Sequence, residues 1–192
     1  MQTGRMDLPV DGMTGLPMCK QLGTLIEVQH TSENTGEMFR DVMRSYPTGV
    51  TIVTSISEGK PVGGTMNSFT SVSVRPPLVA VFITTGSHTA MAIAESMKFN
   101  VNILGSEQEK DALKFADPDM ARKFAEGNFG TGQNGIPIIH GSLACLECNL
   151  EQQIQIADHI LFVGEVTAAY HMKKGNPILY YKRRFMELPS EP

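Results

Sequence analysis

Between residues 137 and 185 four strand-like segments follow one another with little but turns between them: PIIHG, LACLECNLEQQIQI, ILFVGEVTAAYHM and PILYYKRRF. Parallel neighbours need a crossover of about a dozen residues or more, so segments joined by turns such as Lys174-Gly175-Asn176-Pro177 must pair antiparallel. The same character appears upstream. VTIVTSI (50–56) is alternating and β-branched; a turn at Ser57-Glu58-Gly59-Lys60-Pro61 and a second strand-like run through Thr65 follow it. PLVAVFIT (77–84) and KFNVNIL (98–104) read as short buried strands, with a brief Ala- and Met-rich helix between them from Thr89 to Ser96. Many closely spaced strands with helices only as short insertions give a mainly β chain folded as an antiparallel barrel, not alternating βαβ units.

The helices are peripheral in this reading. In EMFRDVMRSYPTG, Phe39, Val42, Met43 and Tyr46 recur on one helical face, and Pro47 and Gly49 end it. Ser106 followed by Glu109 is read as a capping box opening a helix across DALKFA. Asp117-Pro118 is read as an N-cap and first helical residue opening DMARKFAE. Residues 1–36, rich in Gly, Thr, Met and Pro, are expected to be a flexible arm or a strap over a partner subunit, and residues 37–188 form the domain.

Composition excludes several function classes. A chain of 192 residues with 41% hydrophobic content has material for one sizeable core. A net charge of -4 leaves no broad basic face for nucleic acid. Lys182, Arg183 and Arg184 make the nearest thing to a basic cluster and read as a solvated strand. No apolar run approaches the ~18 residues of a membrane span, and the N-terminus lacks the basic start and apolar stretch of a secretory signal. Three cysteines, Cys19, Cys145 and Cys148, are an odd count in a chain too long to need staples, so a reducing cytoplasm is expected. Cys145 and Cys148 form C-L-E-C, but an offset of three on a strand sends them to opposite faces and no second such pair completes a zinc site. H-x-x-H is absent and no metal site is expected; His30, His140 and His171 are read as satisfied barrel-rim histidines.

GTGQNG (130–135) spells the glycine fingerprint of dinucleotide binding. That motif works because a strand delivers the chain to a helix N-terminus whose amides hold pyrophosphate. Here helix-like DMARKFAE precedes it, and Ile136-Pro137 cannot continue a helix from Gly135. A flexible loop is the expectation.

The densest polar stretch is TMNSFTSVSVRPP (65–77). Its hydroxyls, amide and free backbone N–H groups beside a strand end suit a phosphate and the edge of a heterocycle. A Ser/Thr-rich edge strand with local side chain–backbone bonds has the same composition.

Thr65-x-Asn67-Ser68-Phe69-x-Ser71-Val72-Ser73-x-x-Pro76-Pro77-Leu78-Val79 resembles the signature of the flavin reductase-like, FMN-binding split-barrel family. Matches follow in family order at Phe99-x-Val101-Asn102-x-Leu104, Lys123-Phe124, Gly135-x-Pro137 with Gly141, Asp158-His159 before Val163-Gly164-Glu165-Val166, and Leu179-Tyr180-Tyr181-x-x-x-Phe185. The resemblance implies a homodimer of Greek-key split barrels that binds FMN or FAD and accepts hydride from NADH or NADPH. It also implies a partner flavin-dependent monooxygenase that receives the reduced flavin.

Residue by residue it implies that Thr65, Met66, Asn67, Ser68, Ser73 and Val74 line the flavin, that Ser87, His88 and Thr89 add donors for its phosphate or ribityl end, and that Asn102 belongs to the cofactor site. Lys123 would face the phosphate with Phe124 packed inward, and His159 would face the nicotinamide nucleotide as the catalytic-site histidine. Ala157 stands where the family usually has Gly in its Gly-Asp-His motif. The same fold could hold FMN tightly and reduce another acceptor (a corrin, a metal complex or a quinone), or bind flavin or heme without catalysis.

Overall fold

The structure, a computed structural model, describes residues 35–124 and 127–188. The expected N-terminal arm lies, but for its last residues, outside the described residues. The chain divides into two compact units between Phe39 and Arg40, and the strands, cavities and site residues described below belong to the unit that begins at Arg40.

Helix α1 (Thr35–Met43) forms where its periodicity places it, but Phe39, Val42, Met43 and Tyr46 are all exposed; the apolar stripe does not enter the core. The domain proper is built from β1 (Thr48–Gly49), β2 (Thr51–Ser57), β3 (Lys60–Met66), β4 (Phe69–Val74) and β5 (Pro77–Thr84), followed by α2 (His88–Ser96) and β6 (Lys98–Ile103). After a 3-10 turn at Ser106–Gln108 come α3 (Glu109–Ala116) and the single-turn α4 (Met120–Lys123). The chain ends in β7 (Phe129–Thr131), β8 (Pro137–Ile139), β9 (Ala144–Ile156), β10 (His159–His171), β11 (Ile178–Tyr181) and β12 (Arg184–Glu187). The Ser106–Glu109 box expected to open α3 is not formed: one residue earlier, at the 3-10 turn that leads into the helix, the Gln108 side chain accepts from the Gly105 amide at 3.1 Å, and the N-cap of α3 makes no side-chain bond.

Seven strands form one antiparallel sheet in the order β3-β2-β6-β9-β10-β5-β4. The long β9–β10 hairpin inserts between β5 and β6, which gives the Greek-key connection. Connectivity forces closure. Strands β3 and β4 lie at opposite edges of the sheet, yet only Asn67 and Ser68 join them, so the sheet must roll until those edges approach. The edges are not paired with each other, and the barrel is split there. β1-β11-β12 and β7-β8 form two small accessory sheets.

Adjacent residues on a strand face opposite ways, so β2 serves two cores. Val53 joins Val81, Phe99, Val101 and Phe162 inside the barrel, while Ile52 packs outward with Leu104, Phe115, Ile139 and Ile178. Phe99 and Phe162 are completely buried, each contributing roughly 1.5–3 kcal/mol through the area removed from water. A side chain on Gly164 of β10 would run into the Phe99 ring, so glycine there lets the strands close over the core. Among the described residues no helix is long and apolar enough to cross a membrane.

Candidate functional site

The end of β3, the end of β5, the start of α2 and the α3–α4 corner converge on a cavity of about 400 Å3. Six of the expected site residues meet there: Thr65, Met66, Ser87, His88, Thr89 and Lys123. Ser87 is the N-cap of α2, its hydroxyl accepting from the Ala90 amide at 3.3 Å. The first-turn amides of a helix have no intrahelical acceptor, so those of His88 and Thr89 are available to an anion at the positive end of the helix dipole. Thr89 is buried.

Lys123 brings the full charge. It is only 8% exposed, and its Nζ donates to the Gly63 carbonyl at 3.0 Å. Burial holds its pKa below the ordinary lysine value, with Asp117 opposing that shift. An ammonium has three protons to donate, and that carbonyl takes one. Gly64 keeps the space open: a Cβ there would come within 3.1 Å of Met66 Cε and 3.2 Å of Thr89 Oγ1. A buried cation, helix-start amides, hydroxyls and a missing side chain make a cavity that fits a phosphate ester.

The remaining expected residues stand elsewhere. Phe124 packs inward as expected, edge-on between Phe115 and Phe129 at 5.0 Å from each, and Phe115 is itself a cavity wall. The Ser68 hydroxyl donates to the Phe82 carbonyl at 2.6 Å, and that of Ser73 accepts from the Arg75 amide at 3.2 Å. Val74 is 85% exposed on the edge strand β4. Asn102 requires a correction, because it is a scaffold residue. It is fully buried, its Nδ2 donating to the Ile52 carbonyl at 2.9 Å and its Oδ1 accepting from the Ile139 amide at 2.9 Å. The second Nδ2 hydrogen goes to Thr54 Oγ1 at 3.3 Å, so both donors of the amide are spent within the scaffold.

His159 opens β10 directly opposite Thr84, a wall of the cavity, so the two side chains leave the sheet on the same face. Its Nδ1 lies 2.8 Å from Asp158 Oδ1, a contact that lowers the Asp158 pKa. That face is apolar further along: Phe82, Leu161 and Ile154 form a row across β5, β10 and β9, and Phe82 and Ile154 are exposed.

Two features were not expected from the sequence. One is a second cavity of about 340 Å3, which shares Thr65 and Ala116 with the first. Asn67, Leu113, Tyr180, Phe185 and Arg183 also line it. The other is the glycine loop, which is not loosely held. The Gln133 and Asn134 amides donate to the two carboxylate oxygens of Glu147 at 2.9 Å each, and Glu147 is 1% exposed. Asn134 bonds on to Asn100 at 2.7 Å, tying the loop to β6. A Cβ on Gly132 would lie 2.5 Å from Glu147 Oε1. The loop does cradle an anion with backbone amides, but the anion is the protein's own side chain. Cys145 and Cys148, on either side of that carboxylate in β9, are fully buried. Burial, with smaller contributions from Glu147 and, for Cys148, from Cys145, pushes both thiols up to about 12.

Comparison with known proteins agrees with this geometry. The flavin reductase-like domain model matches residues 43–189. The reductase subunit HsaB of a flavin-dependent monooxygenase from Rhodococcus jostii is 38% identical over 149 residues, covering 77% of this chain and 75% of that protein. The FMN reductase (NADH) SmoA of Agrobacterium fabrum is 34% identical, covering 74% of this chain and 80% of its own length. Among solved structures, the NADH:FAD oxidoreductase SgcE6 of Streptomyces globisporus superposes with a TM-score of 0.77 at 32% identity, covering 85% of this chain and 99% of that one. The order of motifs and the split barrel thus have one explanation: the chain belongs to the flavin reductase-like domain family.

Proposed function

We infer that this protein is an NAD(P)H:flavin oxidoreductase that reduces FMN or FAD and supplies the reduced flavin to a flavin-dependent monooxygenase. The observation that carries this reading is the 400 Å3 cavity, where the buried Lys123 ammonium and the start of α2 converge on space kept open by Gly64. Lys123, Thr89 and the His88 amide would hold the flavin phosphate, and Thr65 and Met66 would border the chain leading to the ring. The bound cofactor pair supplies hydride transfer from nicotinamide C4 to flavin N5. The protein's part is to hold the two rings face to face and exclude water. His159 stands on the outward face beside Thr84, where its imidazole can donate to the nicotinamide nucleotide; no proton transfer is required of it. Ser68, just before the edge strand β4, and Ser73 and Val74 on it would border the ring from the open side.

The protein acts as a homodimer. The exposed row of Phe82 and Ile154, with Ile156 beyond it, is continuous with His159, so a second copy on that face would wall the nicotinamide side of the site. Light scattering should give about twice the 21.0 kDa chain mass, and an active monomer refutes the dimer. The reductase reading is tested by anaerobic stopped-flow mixing of protein and flavin with NADH or NADPH. Bleaching of the flavin absorbance far faster than in free solution supports it, and bleaching at the uncatalysed rate refutes it. Flavin that leaves the protein on desalting marks a diffusible product; flavin that stays marks a bound cofactor serving another acceptor.

A further inference from the structure

The cluster Lys182-Arg183-Arg184, which sequence reading leaves as a solvated strand, occupies an unusual turn. Tyr181 pairs with Arg184, so Lys182 and Arg183 alone connect β11 to β12, and both have left-handed backbone, φ 48° and 61°. A two-residue hairpin of this kind favours Asn, Asp or Gly at both positions, because a Cβ is disfavoured there. The same chain shows the ordinary solution in its β2–β3 hairpin, where Glu58 (φ 50°) is followed by Gly59 (φ 73°). In β11–β12 arginine takes the place glycine has in β2–β3, and backbone strain of this kind persists where side-chain position matters.

Arg183 is at the mouth of the 340 Å3 cavity, and it makes no ion pair among the described residues. Behind it the walls are apolar and aromatic. Tyr180 and Phe185 pack at 5.3 Å with rings tilted by 55°, and Leu113 and Ala116 also line the cavity. Asn67 and Thr65 supply the polar edge. A flat heterocycle carrying an anionic group fits this set of surfaces: the ring against aromatic and aliphatic walls, its exocyclic groups on Asn67, its phosphate on a guanidinium.

Given the flavin site inferred above, we propose that the second cavity is an adenylate subsite, with Arg183 binding a phosphate of the dinucleotide. The two cavities share Thr65 and Ala116 in their walls, so they are immediate neighbours. That adjacency favours the adenylate half of FAD; the adenylate of NADH or NADPH has the same chemistry, and the test tells them apart.

Arg183→Gly removes the guanidinium and gives the turn the residue its backbone favours, so the variant should fold with an unchanged or higher Tm. Flavin Kd is measured by fluorescence quenching for FAD and FMN, and KM for NADH and for reduced nicotinamide mononucleotide. A loss of about tenfold for FAD, with FMN within about twofold, assigns the subsite to the flavin adenylate. A loss confined to NADH, sparing reduced nicotinamide mononucleotide, assigns it to the nicotinamide dinucleotide. Equal effects on long and short ligands, or none, overturn the proposal. Wild-type protein that binds neither flavin refutes the cofactor reading instead, and does so before any variant is made.

Discussion

Replacing Lys123 by Met keeps a long, unbranched side chain in the α4 corner and deletes the charge. In the free protein two effects oppose each other. A desolvated ammonium is removed, which is favourable, and the Gly63 carbonyl loses a donor now 3.0 Å away, which costs about 1 kcal/mol. Thermal stability should therefore change little. Flavin binding should change a great deal. A charge-assisted contact to phosphate in a buried setting is worth about 1.5–3 kcal/mol, so the FMN Kd should rise roughly 10- to 150-fold. Riboflavin has no phosphate and should shift by no more than about twofold. Fluorescence quenching on the same preparations gives both constants.

The pH dependence adds a second reading of the same contact. Burial lowers the Lys123 pKa in the free protein, and a bound phosphate favours the charged form. FMN affinity should be full below that lowered pKa and should fall as pH rises through it, starting below the range of an ordinary lysine. The dependence should vanish in Lys123→Met and should be absent for riboflavin. Equal losses for FMN and riboflavin would show that Lys123 acts through the shape of the corner and not through charge.

Other substitutions probe the neighbouring features. Gly132→Ala puts a methyl group 2.5 Å from Glu147 Oε1 and should destabilise by about 1–3 kcal/mol in chemical denaturation, with the nucleotide KM unchanged; full stability would show that the loop is not clamped. His159→Ala should lower kcat/KM for NAD(P)H by about 1–3 kcal/mol while flavin affinity is retained, and a parallel loss of flavin would place His159 in the scaffold instead. Cys145 and Cys148, with thiols pushed up to about 12, should escape alkylation at neutral pH in the folded protein, as read by peptide mass mapping; rapid labelling of either would mean that β9 opens.

Local chemistry was legible in the sequence. The short apolar, β-branched run PLVAVFIT is enough to expect a buried strand, and Val79, Val81 and Ile83 of β5 are buried together. Ser87, His88 and Thr89 were named through the family resemblance alone, and the folded chain adds the reason for their place, since Ser87 caps α2. What depended on distant partners was hidden. Asn102 is part of a recognisable motif, but a motif does not say which way a residue points on a strand buried on both faces. The glycine loop was misjudged because its partner, Glu147, is 13 and 14 residues away from the amides it accepts from and looked like the middle of a cysteine pair. A buried carboxylate and a run of amides able to enclose it were both in the sequence, without anything local to connect them. The second cavity is of the same kind. Its walls come from β3, α3 and the β11–β12 hairpin, and only the folded chain brings Arg183 to Leu113.

A crystal structure of the protein with FMN shows whether the cavity between β3 and α2 receives the flavin phosphate. Phosphate oxygens are expected within hydrogen-bonding distance of Lys123 Nζ, Thr89 and the amide of His88, with the ring lying toward His159 on the open face. A phosphate bound away from Lys123 and the start of α2 would contradict that placement.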